Sequence, residues 1–331
     1  MGNRKQKKRA PRRKDSGLTN IVATAVILVL AFCWSKYDQR VTLAREQPRE
    51  SDVFVVSYPK SGNNWLRFIL AHAHSYSNGT AESPHWRKEW DFNSIETVIP
   101  DLEYGPNRYE YYTFGAPHLF KSHQPYAPEA VHGDCANSVG TMDSHQCSCP
   151  NCPPKWKRVL YLVRDGRDTM CSYFHFQKGL GLLDWEVTFE DFLTMERYPG
   201  YNWSKHVASY LSLAADPSVD LMVIKYEDLK QEPEATVAKV LDWVGISHTG
   251  QSIQRALEAS SFERMRHKEE ASGLRLFDAE YPNRDKSWRM TRKGSSGGWN
   301  ECFTSAASKK LWNEQALDVM KQLGYADGED W

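Results

Sequence analysis

The sequence predicts an α/β fold in which a parallel sheet is flanked by helices. Three short apolar runs have the character of buried strands, and a stretch with helical periodicity follows each of them. The predicted strands are Val53–Ser57, Arg158–Val163 and Leu221–Ile224, and the predicted helices are Asn64–His74, Asp168–Phe176 and Pro233–Val244. Strands that alternate with helices favour parallel pairing with both faces of the sheet covered.

The charge of the chain is balanced overall but unevenly distributed. Its 42 basic and 42 acidic side chains cancel, which excludes a globally basic nucleic-acid binder. Residues 1–16 nevertheless carry eight basic side chains and one acidic side chain. With 331 residues, of which 40% are hydrophobic, the chain can form one large domain or two ordinary ones.

An uncharged run, Leu18–Trp34, follows the basic tail and has about the length of a membrane-spanning helix. The alternative is a cleaved signal peptide, but bulky and polar residues stand where its small cleavage residues would be. The basic flank predicts a cytoplasmic tail and a lumenal body, and the short span favours the Golgi or an earlier membrane. We expect a type II signal-anchor with a tail at 1–16, a span at 17–34, a stem at 35–50 and a lumenal domain at 51–331.

The chain has seven cysteines, and four of them crowd into a polar insertion at about residues 127–155. These four are Cys135, Cys147, Cys149 and Cys152. Their spacing lacks the paired knuckles of a zinc site, so we expect two disulfides of unassigned pairing and no metal. Cys171 and Cys302 stand alone in the sequence, whereas Asn78 and Asn202 begin possible glycosylation triplets.

The turn after the first predicted strand has the composition of an anion-binding loop. It contains Lys60, Ser61, Gly62, Asn63, Asn64 and Trp65. The glycine permits close backbone approach, the first amides of the helix point outward, and the lysine, serine and asparagine side chains can donate to an anion. Because the lysine precedes the glycine, the pattern differs from that of a nucleotide-hydrolysing P-loop. The alternative is an ordinary connection between a strand and a helix.

The second predicted strand ends at another candidate anion site. Arg164 follows this strand, and Ser172 stands eight residues further on in the next helix. A guanidinium and a hydroxyl in this arrangement can bracket a phosphate group, whereas the alternative is a surface network of arginine and aspartate. Because the carboxyl ends of parallel strands meet at one edge, the two turns together predict a ligand with two anionic groups.

With these two elements, the chain resembles the sulfotransferase family, whose members use 3′-phosphoadenosine 5′-phosphosulfate (PAPS) as donor. Four further family elements occur in the family's order, over about residues 52–325. They are Lys121–Pro125, Tyr226–Leu229, Ser260–Met265 and Arg292–Trp299. The resemblance implies a P-loop-like sulfotransferase fold and an enzyme that transfers a sulfuryl group to a hydroxyl of a glycan, a protein or a small molecule.

The resemblance also implies roles for individual residues. His123 would be the general base with Lys121 as its companion, and Lys60 and Lys121 would stabilise the charge that grows on the leaving phosphate. The 5′-phosphosulfate would lie on the loop of residues 60–65. Residues implied at the 3′-phosphate are Arg164, Ser172, Arg292, Lys293 and Gly294. Residues implied at the adenosine are Trp203, Ser261, Phe262 and Met265. The chain departs from the family at Asn63 and Asn64, where threonines are common, and at Gly298, where an acidic residue is common.

Two other classes of protein share parts of this pattern. A lumenal glycosyltransferase would have the same membrane layout, but no two aspartates in the chain stand two residues apart, as its metal motif requires. A catalytically silent nucleotide-binding protein would explain the departures at Asn63, Asn64 and Gly298. No segment matches the family's dimerisation motif, so self-association is not predicted. The aromatic residues in Tyr104–Phe114 and Ala271–Trp288 are candidates for the acceptor pocket.

Overall fold

The computed structural model describes residues 50–78, 89–104, 117–126, 156–196, 202–282 and 284–331. These residues belong to one unit, Gln47–Trp331. The basic tail, the apolar span and the cysteine-rich insertion predicted above lie outside the described residues. Within the described ranges, no helix is both long enough and apolar enough to cross a membrane.

A parallel sheet forms the centre of the described fold. Its strands are β1 (Val53–Val56), β2 (Leu119–Ser122), β3 (Arg158–Val163) and β4 (Asp220–Lys225). They lie in the order β2-β1-β3-β4, and all three pairings are parallel. Val53 is opposite both Leu119 and Arg158, so the three strands begin at the same level, and β3 extends two residues beyond the other two.

Helices follow the strands along the chain. The longer ones are α1 (Asn63–Asn78), α2 (Gly166–Leu180), α4 (Trp203–Leu211), α6 (Pro233–Val244), α7 (Gly250–Ala259), α8 (Phe262–Ser272) and α10 (Ala306–Gln322). Three short ones are α3 (Phe189–Thr194), α5 (Tyr226–Gln231) and α9 (Arg275–Glu280). Short 3-10 turns span Ile95–Thr97, Leu102–Tyr104, Ser212–Ala215 and Gly298–Glu301.

Alternate strand residues enter two separate hydrophobic cores. Val53 and Val55 pack with residues of α1, α6 and α7 on one face of the sheet. Phe54 and Val56 pack with residues of α2, α4 and α10 on the other face. All four side chains of β1 are at most 2% exposed. A strand that is covered on both faces must be apolar throughout, which is why β1 and β3 are recognisable as continuous apolar runs.

The predicted α/β fold is confirmed, and two predicted elements have the bounds that the structure shows. These are Arg158–Val163 and Pro233–Val244. The sequence reasoning missed β2, because Leu-Phe-Lys-Ser contains only two apolar residues and gives no strand pattern. This strand matters for function because it carries Lys121 and leads directly to His123.

Candidate active site

The carboxyl ends of β1, β2 and β3 bring three predicted segments to one edge of the sheet. β1 leads to the turn that contains Lys60, β2 leads to His123, and β3 leads to Arg164. Open parallel sheets bind ligands at this edge, because the connecting turns and helix starts converge there. Motifs that are far apart in the chain therefore lie close together at this edge.

The turn after β1 has an unusual backbone. Lys60 has φ 69° and Gly62 has φ 101°, so both residues lie in the left-handed region. A Cβ on Gly62 would lie 2.6 Å from Cδ2 of Tyr226, so this position has no room for a side chain. The turn presents the start of α1, whose first N–H groups have no partners within the helix. The Oγ of Ser61 is buried and has no hydrogen-bond partner, as expected of a ligand for an anion.

Lys60 has an environment that favours loss of its proton. Burial lowers the pKa of its ammonium to about 7, against the opposing charge of Glu269, and the cations Arg164 and Arg292 lower it further. Its Nζ lies 4.4 Å from the centre of the Phe176 ring. A bound anion would neutralise the repulsion among these cations and restore the charge of the lysine.

Arg164 joins the turn after β1 to the C-terminal part of the site. One guanidinium nitrogen donates to the carbonyl oxygen of Lys60 at 3.2 Å, and the other donates to that of Ser295 at 2.9 Å. Asp168 lies 3.6 Å from the same guanidinium, and the ring of Tyr226 lies 4.7 Å from its carbon. The Nε of Arg164 is buried without a hydrogen-bond partner. One arginine thus connects two of the predicted phosphate-binding segments.

Residues 292–301, called the strap here, lie against α2 and α8. The backbone N–H of Gly297 donates to Asp168 at 2.7 Å. Gly294 has φ 64°, and a Cβ there would lie 2.4 Å from the ring of Phe262. Glu301 accepts from Arg292 at 2.7 Å and also pairs with Lys293. The predicted 3′-phosphate cations of the strap therefore have an acidic partner from the strap itself.

The carbonyl oxygen of Ser57 holds the imidazole of His123. The Nδ1 atom lies 2.7 Å from this oxygen, which can only accept a hydrogen bond, so Nδ1 carries the proton in the neutral ring. The backbone N–H of His123 donates to Glu103. Burial, reinforced by the charge of Lys121, lowers the pKa of His123 well below its ordinary value. The ring is therefore neutral near pH 7, with Nε2 as its basic atom.

Lys121 lies in a buried acidic cluster. Its Nζ pairs with Asp101 and, at 3.2 Å, with Glu103. These two carboxylates outweigh the cost of burial and raise the pKa of the lysine, so it stays charged. Burial and the neighbouring Glu103 raise the pKa of Asp101 to about 6. Lys121 is thus close to His123 in the chain, but its charge is already balanced by two anions.

Both asparagine side chains of the first turn are engaged within the protein. The amide of Asn63 donates to the carbonyl of Val55 and to Oγ of Ser57, both at 3.2 Å. The amide of Asn64 donates to the sulfur of Met290 at 3.0 Å, and its oxygen accepts from Arg67 at 3.2 Å. Our expectation that these amides donate to an anion is therefore corrected for this conformation. The backbone N–H groups at the start of α1 remain for that role.

The structure brings most predicted adenosine residues together but separates one. Phe262 contacts the strap at Gly294, Ser261 caps α8 through its hydroxyl, and Met265 is buried one turn later. Trp203, in contrast, is 1% exposed and packs in the hydrophobic core between Gly166 and Trp312. A ring that is covered in this way cannot stack on a nucleotide, so the structure does not place Trp203 in the site.

Cys171 and Cys302, isolated in the sequence, form a disulfide with Cα atoms 5.7 Å apart. Cys171 precedes Ser172 in α2, and Cys302 directly follows the strap. His175 and Glu301 lie beside the pair, with the potential ligand atoms of all four residues within 4.8 Å of one another. Because the sulfurs are bonded to each other, neither is available as a thiolate ligand for a metal.

Sequence reasoning missed several residues that shape the site. Glu103, Phe176 and Tyr226 touch predicted site residues, and Glu269 accepts the N–H groups of Met290 and Thr291 at 2.6 and 2.9 Å. Tyr226 stands in a family-like segment and could have been found there. Glu103 belongs to no recognisable motif, so only the fold reveals it.

The fold and the cationic cluster define a class, namely α/β proteins with an anion-binding edge, and comparison with known proteins narrows this class. The family model described as "Sulfotransferase domain" matches residues 50–322. Human Sulfotransferase 2A1 is 27% identical over 288 residues, which cover 83% of this chain and 87% of the relative. An amine sulfotransferase from Oryctolagus cuniculus is 25% identical over 272 residues, which cover 80% and 79% of the two chains.

Solved structures agree on the fold. A retinol dehydratase in complex with androsterone and the inactive cofactor PAP has a TM-score of 0.55 at 21% identity, with 82% of this chain and 81% of that chain covered. Mouse sulfotransferase SULT7A1, complexed with PAP, has a TM-score of 0.52 at 21% identity, with 86% and 91% covered. The chain belongs to the sulfotransferase family, and the predicted class of enzyme, a PAPS-dependent sulfotransferase, is confirmed.

Proposed function

We propose that this protein transfers the sulfuryl group of PAPS to a hydroxyl of its acceptor at the edge formed by the turns after β1, β2 and β3. The observation that carries the proposal is the convergence of three cationic segments. Arg164 donates hydrogen bonds to the backbone of both Lys60 and the strap, and the charges of Arg164 and Arg292 lower the pKa of Lys60. Cations that lie close together repel one another, and such a cluster is typical of a site for a polyanionic ligand.

The residues present fit the donor. Ser61 offers a buried hydroxyl without a partner, and Gly62 and Gly294 offer backbone where a side chain would clash. We assign Lys60, Ser61, Gly62 and the start of α1 to the 5′-phosphosulfate. We assign Arg164, Ser172, Arg292 and Lys293 to the 3′-phosphate, with Ser261, Phe262 and Met265 at the adenosine. PAPS supplies an activated sulfuryl group whose leaving group is a phosphate.

In this assignment, Lys60 stabilises the negative charge that grows on the leaving phosphate. The anionic donor raises the pKa of Lys60 when it binds, so the lysine is charged before transfer, and its attraction becomes stronger as negative charge grows on the leaving phosphate. The N–H groups at the start of α1 act in the same direction without a cost of reorganisation. By analogy with phosphoryl transfer, alignment and neutralisation of charge account for most of the rate increase.

His123 accepts the proton of the acceptor hydroxyl. The bond from Nδ1 to the Ser57 carbonyl fixes the ring orientation and leaves the lone pair of Nε2 for the acceptor. The low pKa keeps the ring neutral, so that it is ready to act as a base at neutral pH. Lys121 acts indirectly, because it orients Glu103, which in turn holds the backbone of His123.

The acceptor class is a hydroxyl of a glycan, a protein or a small molecule. Two retinol dehydratase structures of similar fold are complexes with androsterone and with retinol, which supports a hydroxyl acceptor for this chain as well. Trp288 of the predicted acceptor region lies 5.4 Å from the Phe176 ring, and Phe176 in turn contacts Lys60. Aromatic side chains therefore adjoin the proposed transfer point and suit an apolar or sugar-ring acceptor.

We further propose that Leu18–Trp34 anchors the protein in the Golgi membrane with residues 51–331 in the lumen. The uncharged run and its basic flank support this placement. A lumenal location would allow disulfides among Cys135, Cys147, Cys149 and Cys152, and the Cys171–Cys302 disulfide is consistent with an oxidising compartment. Resistance of the intact chain to carbonate extraction would support the anchor, and its release would contradict it.

A catalytically silent nucleotide-binding protein is the second candidate. The observation that favours it is the engagement of both asparagine amides, Asn63 and Asn64, in contacts within the protein. Incubation of the full chain with radiolabelled PAPS and a panel of glycans, tyrosine peptides, phenols, steroids and retinoids distinguishes the two. We expect transfer to at least one acceptor class. Binding of PAP without transfer to any of them would favour the silent protein.

A further inference from the structure

The Cys171–Cys302 disulfide joins two parts of the proposed donor site. Cys171 lies in α2 beside Ser172, and Cys302 directly follows the strap that carries Arg292 and Lys293. The two cysteines are 131 residues apart in the chain. Without this bond, the two segments assigned to the 3′-phosphate would depend on weaker contacts to stay together.

Those weaker contacts run along the whole strap. Its middle is held by the bonds from Arg164 to the Ser295 carbonyl and from the Gly297 N–H to Asp168. In its final turn, Gly298–Glu301, no residue is buried. The Trp299 ring of this turn lies 5.1 Å from the Trp331 ring and 4.6 Å from the guanidinium carbon of Arg167, and the disulfide adds a covalent restraint to these contacts.

Glu301 lies between the disulfide and the phosphate-binding cations. It stands next to Cys302, and its Oε1 lies 3.4 Å from Sγ of Cys171. The same carboxylate pairs with Arg292 at 2.7 Å and with Lys293. The disulfide therefore restrains the end of the strap beside α2, and the backbone of the same strap carries both cations.

We propose that the Cys171–Cys302 disulfide is a positioning element of the donor site, which holds Arg292 and Lys293 beside the N-terminal half of α2 for the 3′-phosphate of the nucleotide. The inference rests on the proposed function and adds a covalent restraint to it. Ordering a free strap and two long side chains would reduce the affinity for the nucleotide, and a strap that is already ordered avoids this cost.

The test compares two nucleotides that differ only in the 3′-phosphate. Calorimetry of the full chain in detergent gives Kd for PAP and for adenosine 5′-monophosphate (AMP), before and after the double substitution Cys171→Ser/Cys302→Ser. We expect the Kd for PAP to rise about tenfold and that for AMP to stay within about twofold. Each single substitution should raise the Kd for PAP as much as the double substitution does, because either one removes the bond. KM for PAPS should rise more than kcat falls.

An unchanged Kd for PAP, or equal weakening of PAP and AMP, would overturn the inference. If the double variant does not fold, the same comparison is made on wild-type protein reduced by a phosphine, with loss of the bond verified by mass spectrometry. A different result would contradict the proposed function, namely wild-type protein that binds PAP no better than AMP. A wild-type preference for PAP that survives loss of the bond contradicts only the role of the disulfide.

Discussion

Arg164 donates a hydrogen bond to the carbonyl oxygen of Lys60 at 3.2 Å, which joins two turns that stand 104 residues apart in the chain. The contact ties the Arg164 side chain to the backbone of the turn that carries Lys60, and these two segments are assigned to opposite ends of the donor. The Arg164 side chain contacts both the Lys60 turn and the strap. A substitution in one of these segments should therefore also affect anion binding by the other.

Replacement of Lys60 by alanine should lower kcat about 10²- to 10³-fold, because the leaving phosphate loses its nearest cation. Initial rates with labelled PAPS at saturating acceptor measure the effect. Lys310→Ala is the matched control, since Lys310 is exposed and pairs only weakly with Glu314 at 3.9 Å. A kcat for Lys60→Ala within twofold of wild type would remove the lysine from the mechanism.

Replacement of His123 by alanine should reduce kcat about 10²- to 10⁴-fold while PAP still binds, because only the proton acceptor is lost. His248→Ala serves as control, since this histidine pairs with Asp242 at 2.9 Å between α6 and α7. Circular dichroism and PAP calorimetry verify the fold of both variants. Full transfer rate in folded His123→Ala protein would refute the assignment of the base.

The affinity for PAP should decrease as the pH rises above about 7. The pKa of Lys60 in the free protein is about 7, so the lysine is charged below this pH and neutral above it. Only the charged form attracts the anion, so Kd should rise by up to about tenfold per pH unit until the pKa in the complex is reached. Calorimetry from pH 6 to 9 measures this slope.

Lys60→Arg is the control for this pH dependence, because arginine stays charged throughout the range. Its Kd for PAP should vary less with pH than that of the wild type. An equally steep rise in Lys60→Arg and wild type would assign the titration to another group.

Substitution of Gly62 by alanine should destabilise the protein by about 1–3 kcal/mol and weaken PAP binding. The position combines φ 101° with a distance of 2.6 Å from a Cβ to Tyr226. Gly245→Ala is the matched control, because φ is 90° there but no atom lies within 4 Å of the Cβ. Urea unfolding should show a smaller loss for the control, with unchanged PAP affinity. Equal losses in stability and affinity would argue against a crowded anion loop.

Substitution of Glu301 by glutamine should tighten PAP binding severalfold at low ionic strength. The carboxylate neutralises Arg292 and Lys293, and a 3′-phosphate must compete with it for both cations. Added salt should reduce the gain, because screening weakens the interactions of exposed charges. Weaker binding by Glu301→Gln would instead show that the carboxylate orients the cations more than it competes for them.

Much of the fold was predictable because strands buried on both faces must be apolar, and β1 is apolar throughout while β3 is apolar after Arg158. The strand β2 was not predictable from Leu-Phe-Lys-Ser, whose lysine is buried only because Asp101 and Glu103 accompany it. Such compensation comes from a distant segment and leaves no periodic pattern.

Within the site, residues of contiguous motifs such as Lys60, Arg164 and Arg292 could be proposed from sequence, and the structure brings them together. The contacts that hold these residues in place could not be proposed from sequence. The Cys171–Cys302 bond joins residues that are far apart in the chain and belong to no shared motif. Trp203 was predicted at the adenosine but lies in the core, because proximity to a family position does not reveal which way the ring faces.

The central claim is that three separate segments bind the two ends of one nucleotide. A crystal structure of the complex with PAP tests it most directly. We predict density for the 5′-phosphate at Lys60, Ser61 and Gly62, and density for the 3′-phosphate between Arg164 and the cations of the strap. A nucleotide bound at one of these segments but not the other, or bound elsewhere on the protein, would contradict the account.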